Sequence, residues 1–159
     1  MKKFGFVALF AFAVFGMAFA VGADATSGQI ALTGTIAPKF SMTLTTNTAG
    51  DAILDDGTEN LWSLGTITVN SNFKNWKVSV KSTNGGMLKN GDESIVYAFT
   101  LGTLLEGVKL DAIQTSAAQA RTLRAGNGYD MSVKFANVGK DYWQTGTWTD
   151  TVTLTISHE

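Results

Sequence analysis

The sequence predicts an all-β protein, an immunoglobulin-like two-sheet antiparallel sandwich of about seven strands. Three observations lead there. The stretch Trp148 to Ser157 places Trp148, Val152, Leu154 and Ile156 on one parity and Thr149, Thr151, Thr153, Thr155 and Ser157 on the other. That is the period of a strand with one buried and one wet face. The same alternation recurs in several earlier segments, separated by Gly and Asn turn clusters. A lone strand cannot bury such a row, so the segments must cover one another as two layers.

Taken in order, Met1 to Ala20 reads as a signal peptide. Lys2 and Lys3 precede an apolar run from Phe4 to about Gly16, and Ala18-Phe19-Ala20 fits the small-x-small cleavage rule. Val21-Gly22-Ala23 offers a second site, so the mature chain is expected to start at Val21, with Asp24 as the alternative. The apolar run is shorter than the roughly 20 residues of a membrane span, so no transmembrane span is expected after processing. Removal of 20 residues from 159 leaves 139, the length of a single domain over 21–159. The protein is thus expected to be exported, to the periplasm, the outer surface or the medium.

Six of the ten Phe residues lie in the signal, so the full chain's mean hydropathy of +0.10 overstates that of the mature protein. Losing Lys2 and Lys3 moves the formal net charge from −1 to −3, and no Lys/Arg run exists to track phosphates, which argues against nucleic acid. The absence of cysteine removes disulfides, thiolate metal sites and cysteine nucleophiles together.

Gln29 to Ile36, with Ile30, Leu32, Gly34 and Ile36 in phase, is the expected first strand. Pro38, the sole proline, cannot donate to a ladder and marks an edge or a switch between sheets before Phe40, Met42 and Leu44 resume the pattern. Thr45 to Asn60 reads as a polar surface loop. Leu61 to Val69 is a strand whose parity slips at Gly65, predicting a bulge. Trp76, Val78 and Val80 alternate with Lys77, Ser79 and Lys81, and lysines on the wet face discourage edge pairing. Strands also follow at Ile95 to Leu101 and Tyr129 to Phe135. Ala112 to Arg124 holds helix formers, but so small an apolar stripe buries little, and a long crossover between sheets is the favoured reading.

Catalytic chemistry finds little support. His158, the sole histidine, lies one residue from the end of the sequence, where fraying is expected. Gly85-Gly86 and Gly126-Asn127-Gly128 lack the spacing of a phosphate loop. Asp55, Asp130, Asp141 and Asp150 are the carboxylates that glycoside chemistry would require in a pair, but nothing in the sequence pairs any two. A non-enzyme without a cofactor is expected. Asp51, Asp55, Asp56 and Glu59 make an acidic window that offers oxygen ligands to calcium without the spacing of a calcium-binding loop, and a plain solvated loop is favoured. Of the four tryptophans, Trp76 and Trp148 lie in phase with core residues, whereas Trp62 and Trp143, with Tyr142, are candidates for a ligand or partner patch.

With the strands placed, Gly146-Thr147-Trp148-Thr149-Asp150-Thr151-Val152-Thr153-Leu154-Thr155-Ile156 resembles the closing strand of spore-coat-protein-U-like and archaic chaperone-usher pilin domains. Thr33-Gly34-Thr35-Ile36-Ala37-Pro38-Lys39-Phe40 is similar to their first strand, although a cysteine that the family carries near the place of Phe40 is missing. Trp62-Ser63-Leu64 and the threonine-rich last strand also resemble WxL-type cell-surface domains. The pilin resemblance implies a secreted sandwich lacking one strand, whose groove is filled first by a periplasmic chaperone and then by a neighbour's N-terminal extension. On that reading Ile30, Leu32, Gly34 and Ile36 are the donated row. The nine small or polar residues Val21 to Gln29 would make a poor donor, which favours a self-complete domain assembling through other contacts. The expectation is a secreted, non-catalytic structural or adhesive surface subunit partnered by itself or other surface proteins. The rival is a carbohydrate-binding module that grips glycans with exposed tryptophans.

Overall fold

The period-2 segments pair into two antiparallel sheets. The structure, a computed structural model, describes residues 29–47, 59–136 and 142–159. Residues Ile36–Glu159 form one compact unit, and Met1–Thr35 cluster as another, of which 29–35 are described. The segment read as a signal peptide and both expected cleavage sites lie outside the described residues.

Nine strands are present among the described residues, and no helix. They are β1 (Phe40–Thr46), β2 (Glu59–Ser71), β3 (Lys77–Ser82), β4 (Met87–Asn90), β5 (Glu93–Leu101), β6 (Leu105–Val108), β7 (Gln114–Thr115), β8 (Asn127–Ala136) and β9 (Val152–Ser157). One sheet runs β1-β2-β8-β5-β4 with β6 also on β5, and the other runs β7-β3-β9. The favoured crossover holds: the chain between β5 and β8 carries β6 on the first sheet and β7 on the second, without a helix.

The two sheets meet over a sandwich-like core. Trp76, Val78 and Val80 at and beside β3 are fully buried, as are Ile67, Val69, Phe99 and Leu101 from the facing sheet. Leu110 from the crossover joins them. Trp76 is a core residue as its phase predicts, and its indole N–H donates to the Ala120 carbonyl, which satisfies its one polar atom.

The expected bulge is present in β2, where the pairing with β8 shifts between Ser63 and Gly65. Gly65 has φ 125°, and a Cβ there would collide with the Thr45 carbonyl oxygen across the β1–β2 pair. Only glycine fits at this point of close approach.

Three expectations are corrected. Gln29 to Ile36 forms no strand, and Ile30, Leu32 and Ile36 are 87%, 85% and 86% exposed. Alternation specifies which face would be buried, but a strand also requires a ladder partner, and this segment makes no strand pairing. The last strand starts at Val152 rather than Trp148, because the run crosses between sheets. Thr149 exchanges both backbone hydrogen bonds with Lys89 of β4, at 3.0 Å each, and only from Val152 onward does the chain pair with β3. The strand count is nine rather than about seven, since β4, β6 and β7 are too short to display a period.

Candidate assembly groove

The arrangement of edges positions the site. β1 has one strand neighbour, β2, and β9 has one, β3, so each leaves its second edge without a strand among the described residues. One strand inward, Ile67 and Val69 on β2 and Val78 and Val80 on β3 are wholly buried. On the edges themselves, Phe40, Met42, Val152, Leu154 and Ile156 are only half-buried and Leu44 is 50% exposed. The inward-facing apolar rows therefore lose their cover where β1 and β9 face each other.

Between them lies a groove of about 270 Å³, with Leu44 on one wall, Val152 and Leu154 on the other, and Trp62, Phe99 and Met131 among its lining. No charged side chain is among its described lining residues. Thr46, Asn47 and Ser63 supply its polar side chains, and the remaining lining is apolar. Apolar side chains presented in a row would gain about 25 cal/mol for each Å² removed from water.

One end of the gap is tied. The His158 ring stacks on Phe73 with centroids 3.9 Å apart and meets Phe40 edge-on at 4.6 Å, joining the end of β9 to the start of β1. His158 was expected to fray, and these rings hold it instead. Lys77 and Glu159 pair at 3.2 Å beside it, an exposed contact worth little.

The other end is shaped by Asp150. Its Oδ2 accepts hydrogen bonds from the hydroxyls of Ser82 (2.5 Å) and Tyr97 (2.6 Å), and its Oδ1 accepts the backbone N–H groups of Asn84 (3.0 Å) and Thr151 (2.7 Å). This ties the β3–β4 turn, β5 and the entry to β9 into one network, a role that alternation alone does not reveal. Burial, and then the hydrogen bond to Asp150, push the Tyr97 hydroxyl well above its ordinary pKa. A raised folded-state value means that the contribution is intact below the unfolded value of about 10 and is lost as pH rises beyond it. Urea midpoints should therefore fall above about pH 10 in the wild type, and the part of that fall due to this hydroxyl should vanish in Tyr97→Phe.

No family model and no curated protein matches this chain.

The row Ile30, Leu32, Gly34 and Ile36 lies exposed and outside either sheet. Trp62 lines the groove, whereas Trp143 packs edge-on against Trp148 at 5.6 Å and Tyr142 is 91% exposed. Trp148 is half-buried against the core. Asp130 accepts a hydrogen bond from Thr66 (2.9 Å) on the outer face of the first sheet, away from Asp150. Of the calcium window, Asp51, Asp55 and Asp56 lie outside the described residues, as does Asp141, and only the Glu59 backbone, paired with Ala136, is described. No cluster of three or more metal-ligating side chains occurs among the described residues.

Proposed function

We propose that this protein is an exported, non-catalytic surface-assembly subunit, pilin-like in that an immunoglobulin-like sandwich left one strand short is completed by a neighbouring copy. The observation that carries this reading is the groove between β1 and β9, whose apolar walls are half-exposed while their equivalents one strand inward are buried. The Ile30, Leu32, Gly34 and Ile36 row is the occupant with matching chemistry. It is apolar on one parity, it is uncharged, and its large side chains are exposed. Added alongside a free strand edge, such a row gains a backbone ladder as well as burial. This reading reverses the inference from the short N-terminal tail, since the donated residues are the row itself rather than those before it.

Deletion of residues 21–36 tests it. The remaining domain is expected to stay folded, to cease assembling, and to take up a peptide of residues 29–36. Unfolding of the deletion variant would instead make the row part of its own domain's core. If the intact protein stays monomeric and binds a polysaccharide that Trp143→Ala or Trp62→Ala releases, the carbohydrate-binding reading replaces this one.

A further inference from the structure

If the groove accepts this row, the row of the same chain is its nearest competitor. A donor tethered by a few residues competes at an effective concentration of roughly millimolar, far above the micromolar range at which separate subunits meet. Self-filling would win unless the connection forbids it. The connection is Ala37-Pro38-Lys39, and it is held.

Asn72, just past the end of β2, brackets Pro38 on both sides. Its Nδ2 donates to the Ala37 carbonyl at 2.8 Å, and its Oδ1 accepts the Lys39 N–H at 2.8 Å. Its backbone N–H donates to the Lys39 carbonyl at 3.0 Å, one step beyond the last β1–β2 pair, Phe40 with Ser71. The side chain thereby continues the ladder past a proline that has no N–H of its own to give. Pro38 also fixes its own φ and pushes Ala37 toward extended backbone. To enter its own groove, the row would have to turn back within these three residues and lie along the free side of β1. That reversal breaks both side-chain hydrogen bonds of Asn72.

We infer that Asn72 is a positioning residue that holds Ala37-Pro38-Lys39 in line with β1 and so reserves the row for a second copy of the chain. The inference rests on the assembly reading above. Loss of two net hydrogen bonds corresponds to about a thirtyfold shift in the balance between self-filled and open chains.

The test uses the exported chain as wild type, Asn72→Ala and Pro38→Gly, with a fluorescent peptide of residues 29–36 as probe. Sedimentation velocity gives the concentration at which chains assemble, and anisotropy gives peptide uptake by the monomer. Asn72→Ala should raise the assembly midpoint by up to about thirtyfold and lower peptide uptake, because the chain's own row competes for the groove. Pro38→Gly, which keeps Asn72 and frees the backbone, should move both readouts the same way and decides the matter if Asn72→Ala does not fold. Assembly and uptake unchanged from wild type would overturn the role of Asn72. Failure of the 21–36 deletion variant to take up the peptide would overturn the assembly reading and this inference with it. Uptake by that variant alongside unchanged point variants sinks only the inference.

Discussion

Replacing Ile30, Leu32 and Ile36 together by serine should abolish assembly while leaving the dilute domain as stable as the wild type. Full burial of each side chain is worth about 1.5 to 3 kcal/mol, part of which is offset by ordering a segment that pairs with no strand when free. A net gain of about 1 kcal/mol per side chain already amounts to roughly two orders of magnitude in association. Stability should move by no more than about 0.5 kcal/mol, since all three side chains are more than 80% exposed in the unassembled chain. Sedimentation velocity and urea melts on the same samples separate the two effects. A variant that loses stability at dilution would place the row in its own core.

Trp76→Ala should have the opposite profile, with a large loss of stability in every state of assembly. Trp76 is fully buried, donates its indole N–H to Ala120, and meets Tyr129 edge-on at 6.3 Å. Truncation leaves a cavity and removes the hydrogen bond to Ala120, at a cost of about 3 to 5 kcal/mol. For a domain of this size that lowers Tm by roughly 10 to 20 °C. Calorimetry checks it, and a loss below about 1 kcal/mol would mean that the core between the sheets is not closed around this ring.

The fold was legible wherever alternation was long and its ladder partner lay in the same chain. Val78 and Val80, Ile95 to Leu101 and Tyr129 to Phe135 all show their period, and each becomes a buried row, with Tyr129 itself only half-buried. The parity slip at Gly65 showed the bulge because a bulge is itself a change of period. Ile30 to Ile36 displays the same alternation and forms no strand, since periodicity reports the face that would be buried and is silent on who supplies the ladder. The Trp148 to Ser157 run misled for a related reason: its parity survives the crossing between sheets, while its partner changes from Lys89 to β3.

The groove was legible only as chemistry. Ile30, Leu32 and Ile36 announced an apolar row, but that β1 and β9 face each other as edges is a matter of strand order, which no local pattern encodes. Asn72 gave no signal either, because a single Asn in the polar link Asn70 to Asn75 looks like any turn residue until its two bonds around Pro38 are seen.

Hydrogen–deuterium exchange of the intact chain across a concentration series tests the central claim most directly. If the groove is completed by a second copy, residues 30–36 and β9, Val152 to Ser157, whose second edge has no strand among the described residues, should gain protection together as concentration rises. Both should lose it in Leu154→Asp, which places a charge on the groove wall. Assembly with residues 30–36 exchanging at the unprotected rate throughout, or their protection at every dilution, would contradict the account.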